Sequence, residues 1–274
     1  MTHVAIIGAG RWGRNLIETL RKNPTITIAY IAYSGSDETA AWLSAHHPDI
    51  KTTTDFRNVL QDGAVDAVCV ATPIDTHGAI VREALTAGKH VFVEKPLSTN
   101  TKEIAALYTL AEEKNLTLFP GYIYRFDPDF KVAWARVAGK NDIHVETRWE
   151  KYGTFETPLT VNLLVHELAL VSELIGTLAL QNVARNETNV CDITVSGERG
   201  TAHIFINRTQ KEKKKLLTIH NGAITETVPF SHNNLLDLEC DAFFASVAHR
   251  SPDNKKRQQI DESIAAVLSS LLQP

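Results

Sequence analysis

Cysteine is scarce in this chain. Three residues in 274, widely spaced and without a CxxC pair, offer neither a disulfide framework nor a zinc site. Cys69, Cys191 and Cys240 read instead as reduced thiols of a cytoplasmic protein. Long hydrophobic runs are missing too: none approaches the roughly 20 residues a membrane span needs. "MTHVAIIGAG" enters a strand at once, which leaves no room for a signal peptide. Neither sign of charge dominates. Lys and Arg number 28 against 32 Asp and Glu, for a formal net charge of -4. That balance argues against a nucleic-acid or membrane partner. The basic run "KEKKK", Lys211 to Lys215, reads as a solvated turn between two strands. His46 and His47 are adjacent, share no helix face and have no ligand cluster around them, so they read as surface residues and no metal is expected. Internal repeats and low-complexity segments are absent.

What remains is an ordinary soluble composition, 43% hydrophobic and 22% charged, in a chain long enough for two modest domains. Residues 1–121 alternate strand and helix signals. "HVAIIG", "TITIAYIAY", "VDAVCVAT", "KHVFVE" and "LTLFPGY" are short apolar or β-branched runs. Between them lie helical segments such as "RWGRNLIETLRKN", "SDETAAWLSAHH" with Ser36 as N-cap, and "DTHGAIVREALTAG" closed by Gly88. Asn100 and Glu103 stand at capping-box spacing before another helix. Strands apolar on both faces, alternating with helices, predict a parallel, doubly wound Rossmann sheet.

The pattern changes after Gly121. Asp127 and Pro128 predict a helix start, as N-cap and first helical residue. "DIHVETRWEKY" reads as a strand, a long apolar helix follows, and five further strand-like segments run from "LALQNVARN" to "AITETVPF". Short connections between them predict an open, mostly antiparallel sheet. Helices around Leu235 to His249 and Gln258 to Leu272 end the chain. Residues 122–274 are therefore expected to form a second, α+β domain.

"IIGAGRWGRN" carries Gly8, Gly10 and Gly13 in GxGxxG spacing between a strand and a helix. The first glycine permits the tight turn, the second a close approach of pyrophosphate, the third close helix–sheet packing. The helix N-terminus adds unpaired N–H groups and partial positive charge. An acid that binds the NAD ribose usually follows some 20 residues on. Here that region is "AYSGSD", with Ser34 and Ser36 and the acid delayed to Asp37. A missing carboxylate removes repulsion of a 2′-phosphate, and Arg11 can reach one, which favours NADP. NAD remains open if Asp37 or another group serves the ribose.

"VNLLVHELALV" places Asn162 and His166 four apart in an otherwise apolar helix, on one face. A histidine so placed is either a hydrogen-bonded core residue or part of a site. Other motifs bear on the choice. "AGKHVFVEKPLS", with Glu94-Lys95-Pro96, resembles the EKP signature of the glucose-fructose oxidoreductase / inositol dehydrogenase / MocA (Gfo/Idh/MocA) family. "VATPIDTHGAIVREAL" resembles the strand and loop before that signature, and "GYIYRFDPDF" the segment that crosses between domains. The likeness covers the whole first half and continues more loosely beyond it. It implies an NAD(P)-dependent oxidoreductase that moves a hydride between nicotinamide and a carbon of a sugar, sugar nucleotide or cyclitol. It also implies a homo-oligomer, dimer or tetramer, formed through the uncovered face of the second sheet. "GRWGRN" and His166-Glu167 resemble the sugar-nucleotide dehydrogenases within the family.

The resemblance makes Gly8, Gly10, Arg11, Trp12 and Gly13 cofactor-binding, with Ser34 and Ser36 on the ribose side. Thr72, Pro73, His77, Glu94 and Lys95 complete that set. His77 either approaches the nicotinamide or lies on the helix surface. The family's catalytic group is the EKP lysine with an Asp and a His four residues apart, both facing a cleft. Lys95 and His166 match it, and Asn162 stands where the Asp would be. A base is needed for the hydroxyl proton, and an ordinary lysine pKa of about 10.4 must be lowered by burial and by the nicotinamide charge. Asn162 keeps hydrogen bonding without charge, which leaves a carboxylate-relayed proton path in doubt. It also leaves open a non-catalytic nucleotide-binding sensor. Tyr124, Arg125, Trp149 and Tyr152 are candidates to line a sugar site, although Trp149 and Tyr152 can equally pack on the sheet.

Overall fold

The apolar runs of the first half become strands of one parallel sheet. In a computed structural model, residues 1–153, 155–222, 224–249 and 253–272 are described. Their contacts divide the chain into two units: Met1–Ser98, Lys102–Gly121 and Leu236–Gln258 form the first, and Thr99–Thr101, Tyr122–Leu235 and Gln259–Pro274 the second. Pro274 and its neighbour at 273 lie outside the described residues, as does Ala223 at the head of the expected strand "AITETVPF".

The first unit alternates strand and helix from β1 (Thr2–Ile7), α1 (Arg11–Arg21), β2 (Ile26–Ala32) and α2 (Asp37–His46) through β3 (Lys51–Thr53) and α3 (Arg57–Gln61). It continues with β4 (Ala67–Val70), α4 (Ile74–Thr86), β5 (His90–Glu94), α5 (Thr101–Glu113) and β6 (Leu118–Gly121). Strand order is β3-β2-β1-β4-β5-β6, with every pairing parallel. This is the expected doubly wound sheet, and its order reverses between β1 and β4. All four residues of β4 are buried, as helices on both faces require. Leu16, Ile17 and Leu20 of α1 are wholly buried, each stabilising by about 1.5–3 kcal/mol. Ser36 caps α2, its hydroxyl accepting from the Thr39 N–H at 3.4 Å. β3 and α3, three and five residues long, are too short to show a period and were not expected.

His47 departs from its surface reading. It is buried after α2, with Nε2 3.2 Å from Glu18 and its ring edge-on to Trp42. His46 stays exposed, stacked on the same indole. Adjacent residues diverge on a helix, so one of the pair can face inward.

A late segment also packs into the first unit. α8 (Leu235–Ala248) sets Phe243 against Phe92 and Phe119 at 5.8 and 5.7 Å. Asn254 Oδ1 accepts from the Leu118 N–H and its Nδ2 donates to the Leu116 carbonyl, at 3.1 and 2.8 Å. An amide with both functions can satisfy the free edge of β6.

The second unit begins with a 3-10 turn, Ile123–Phe126, and α6 (Pro128–Val137). Asp127 caps α6 as expected, accepting from the N–H groups of Asp129 and Phe130, which is worth about 1 kcal/mol. Then come β7 (Ile143–Tyr152), a π-helical turn Thr160–Leu164, α7 (Val165–Ile175) and β8 (Ala179–Asn186). β9 (Val190–Gly197), β10 (Gly200–Asn207), β11 (Thr209–Asn221) and β12 (Ile224–Val228) follow. α9 (Asn254–Leu272) enters this unit from Gln259 onward. The sheet order is β12-β11-β7-β10-β9-β8, antiparallel throughout except for β7 beside β10. Those two strands are not consecutive in sequence, so no hairpin constrains their direction. Inward positions of β7 alternate with exposed His144, Glu146 and Arg148. α7 is apolar because nearly all of it is buried.

"KEKKK" is not a turn. It lies inside β11, with its first four residues exposed and Lys215 buried. Lys215 is in phase with inward Leu217 and Ile219, and strand alternation carries its side chain to the same face.

Candidate functional site

Within the first unit, the carboxyl ends of β1, β4 and β5 bring the expected cofactor residues to one edge of the sheet. Gly8 follows β1 with φ +103°, and a Cβ there would lie 2.5 Å from the Ala71 carbonyl oxygen. Only glycine fits that turn. Gly13 packs against the turn itself, its Cβ position 2.0 Å from the Gly8 oxygen. Nothing lies within 4 Å of the corresponding position at Gly10. α1 starts there without a side-chain cap and without an acid in its first turn. Its leading N–H groups and the positive end of its dipole are thus available to an anion. Arg11 and Trp12 are exposed on that turn, and Arg11 forms no ion pair among the described residues. Ser34 and Ser36 are exposed beyond β2, and Ser36 serves as the α2 cap.

β4 leads into Thr72 and Pro73, and Pro73 opens α4. His77, one turn in, is neither on the surface nor free to approach a ligand. It is buried, with Nδ1 2.9 Å from the Pro96 carbonyl and Nε2 2.8 Å from the Thr72 carbonyl. It ties the β4 loop to the loop that holds Lys95. Burial pulls the His77 pKa down, while its two carbonyl partners pull it up, and the net direction is down. β5 ends at Glu94, followed by Lys95 and a cis peptide to Pro96. The Trp12 indole N–H donates to Glu94 Oε1, joining the glycine loop to the EKP strand. Burial pushes the Glu94 carboxyl up to about 7, against the opposing pull of Lys95 and the indole.

The second unit gathers a different set. Tyr124 sits in the 3-10 turn, Trp149 on the inward face of β7, and His166 in the first turn of α7. The His166 ring lies 5.2 Å from Tyr124 at 84° and 5.8 Å from Trp149 at 53°. Lys215, read from the sequence as solvated, and Glu167 belong to the same cluster. The Lys215 ammonium donates to Glu167 Oε1 and lies over the rings of Trp149, Tyr124 and Phe230 at 3.8, 4.2 and 4.7 Å. Burial lowers the Lys215 pKa, and Glu167 opposes that. Burial, with the Glu167 charge nearby, pushes the Tyr124 hydroxyl up to about 12. Among the described residues neither Glu167 Oε2 nor Trp149 Nε1 finds a hydrogen-bond partner.

Arg125 and Tyr152 are engaged elsewhere, and Asn162 sits in the turn that leads into α7. Asn162 lies in the π-helical turn, half-buried, its N–H bonded to the Pro158 carbonyl at 3.0 Å. Arg125 donates through Nε to Glu173 at 2.9 Å in a largely buried pair. Tyr152 is 66% exposed at the end of β7, edge-on to Phe155. It stands three positions after Trp149, which on a strand means the opposite face.

Known proteins bear on both halves unequally. Residues 2–122 match the GFO_IDH_MocA family, described as an oxidoreductase family with an NAD-binding Rossmann fold. YrbE, an uncharacterised oxidoreductase of Bacillus subtilis, is 32% identical over 126 residues, 46% of this chain and 37% of that protein. The scyllo-inositol 2-dehydrogenase (NAD(+)) of the same organism is 30% identical over 137 residues, 48% of this chain and 39% of that protein. These alignments span well under half of either relative. Likeness of fold extends further. The WlbA (WbpB) dehydrogenase of Thermus thermophilus, solved with NAD and UDP-GlcNAcA, superposes with a TM-score of 0.82 at 17% identity, over 100% of this chain and 96% of that one. No helix among the described residues is long and apolar enough to cross a membrane.

Proposed function

We propose that this chain, whose residues 2–122 match the Gfo/Idh/MocA oxidoreductase family, is an NAD(P)-dependent dehydrogenase or reductase. The substrate is an alcohol or ketone carbon of a sugar, sugar nucleotide or cyclitol; a relative is named for a cyclitol, and a structural neighbour was solved with a sugar nucleotide. The first unit binds the dinucleotide, and residues 122–274 supply the substrate side. One observation carries the reading: a glycine turn, an uncapped helix start and the Glu94-Lys95 loop converge at the switch point of a parallel sheet.

The residues present fit a dinucleotide. The open space at Gly10 admits a phosphate where a side chain would block it, and the first turn of α1 offers N–H donors with no competing acid. Gly8, Gly10, Trp12 and Gly13 hold the phosphates, with Arg11, Ser34 and Ser36 on the ribose side. The bound nicotinamide supplies hydride transfer. Lys95 Nζ takes the hydroxyl proton during oxidation and returns it during reduction, offsetting alkoxide-like charge. His166 orients the hydroxyl. Asn162 contributes hydrogen bonds where the family has a carboxylate. Thr72, Pro73 and Glu94 shape the nicotinamide side, with His77 bracing that loop. Tyr124 and Trp149 bound the substrate side.

The cofactor is NADP. "AYSGS" offers no carboxylate to repel a 2′-phosphate, and Arg11 has no competing ion pair among the described residues. Three buried free thiols suit a cytoplasmic enzyme. The exposed residues of β7 belong to a sheet face through which two copies pair.

Substituting Lys95→Ala tests the assignment. Turnover of the true substrate, found by a panel of polyols and sugar nucleotides read at the reduced-nicotinamide absorbance, should fall by orders of magnitude. Cofactor affinity should stay near wild type because the glycine turn is untouched. Undiminished turnover in Lys95→Ala would remove the lysine from the chemistry.

A further inference from the structure

The second unit contains a buried ion pair that the proposed chemistry does not employ. Lys215 is 7% exposed and Glu167 not at all. Replacing such a pair with apolar side chains of similar volume is often neutral or stabilising, so its presence is weak support for a role in stability alone. The surroundings suggest a different role. Glu167 directly follows His166 on α7, and it anchors the ammonium that β11 brings in. That ammonium lies on the faces of Tyr124 and Trp149. The same two rings meet each other edge to face at 5.3 Å, and both pack against the His166 imidazole. A cation over a ring face is held by the ring quadrupole, which fixes where the ring lies. Asp127 adds further negative charge toward the ammonium.

We propose that the Glu167–Lys215 pair is a positioning element for His166: the ammonium pins the Tyr124 and Trp149 rings, and the rings set the plane of the imidazole. The functional consequence rests on the reading of His166 as the residue that orients the substrate hydroxyl. The positioning itself does not. An apolar side chain at 215 would fill the volume but offer the rings no directional attraction, so they and the imidazole would sample other orientations.

The test is a proton–carbon NMR spectrum of the histidine rings in the full chain, with His166 assigned by its loss in His166→Gln. Ring currents from Tyr124 and Trp149 should displace the wild-type His166 signals from those of exposed histidines. Lys215→Met alone strands a buried carboxylate and can fail to fold. Lys215→Met/Glu167→Gln, which removes both charges, is therefore compared with it. In a double variant whose circular dichroism and melting temperature match wild type, most of that displacement should vanish and the signals should broaden. Unmoved His166 signals in the folded double variant would overturn the proposal. The experiment needs no substrate, so its result is separable from the functional reading, which falls if His166→Gln keeps full turnover.

Discussion

Two alanines in the same turn should behave in opposite ways. At Gly10 the backbone has φ -71° and ψ -171°, which alanine adopts without strain, and nothing lies within 4 Å of the added methyl. Alanine is the poorer N-cap by a few tenths of a kcal/mol up to about 1. Reduced freedom of the unfolded chain returns about 0.4–1 kcal/mol. The net effect on stability should therefore lie within about 0.5 kcal/mol of zero. The methyl nevertheless occupies the space through which a pyrophosphate would approach the backbone. Each tenfold loss of affinity corresponds to about 1.4 kcal/mol, and a blocked phosphate contact should weaken binding by roughly two such steps. At Gly13 the methyl would meet the Gly8 carbonyl oxygen at 2.0 Å, and backbone must move. Overpacking of this kind costs about 1–3 kcal/mol, or roughly 2–4 °C of melting temperature per kcal/mol in a chain of this size. Thermal melts and fluorescence titrations with NADPH on both variants separate the cases. A Gly10→Ala protein that melts and binds NADPH like wild type would refute the placement of the phosphates at this turn.

Titration of wild type with NADPH and NADH should show tighter NADPH binding, and tighter NADH binding would sink the 2′-phosphate argument. Light scattering at micromolar concentration should give at least a dimer, and a monomer would count against the uncovered sheet face as an interface. His77 adds a pH dependence. Its folded pKa is depressed by burial from an unfolded value of about 6.5. Between the two values the unfolded chain binds the extra proton, so its contribution is present above about pH 6.5 and lost as pH falls through the folded value. Relative to wild type, His77→Gln should therefore gain stability on acidification in denaturant melts. A pH-independent difference between the two proteins would show that the ring does not titrate in that window.

Much of the first unit was legible because its signals are local. Glycine spacing between a strand and a helix reflects backbone geometry within a few residues, and Gly8 and Gly13 sit where that geometry demands them. Apolar runs such as Ala67–Val70 signal a strand buried on both faces without reference to any partner. Alternation in β7 likewise points Trp149 inward with Ile143 and Val145. The same rule, extended back from Ile219 and Leu217, reaches Lys215, but the surrounding charges spoke for solvent. What made burial of that lysine possible is a carboxylate 48 residues away and three rings from separate elements. No window of sequence contains that compensation, and a buried cation is tolerable only with it. His77 was ambiguous for a similar reason: the carbonyls of Thr72 and Pro96 that flank its ring nitrogens come together only when β4 and β5 pair. Arg125 is turned to Glu173, and α8 follows the second unit in sequence yet packs its Phe243 into the first. Sequence determined which segments are strands, helices and glycine turns, because those depend on neighbours along the chain. Tertiary structure decided which charged and aromatic side chains share an interior, because that depends on neighbours in space.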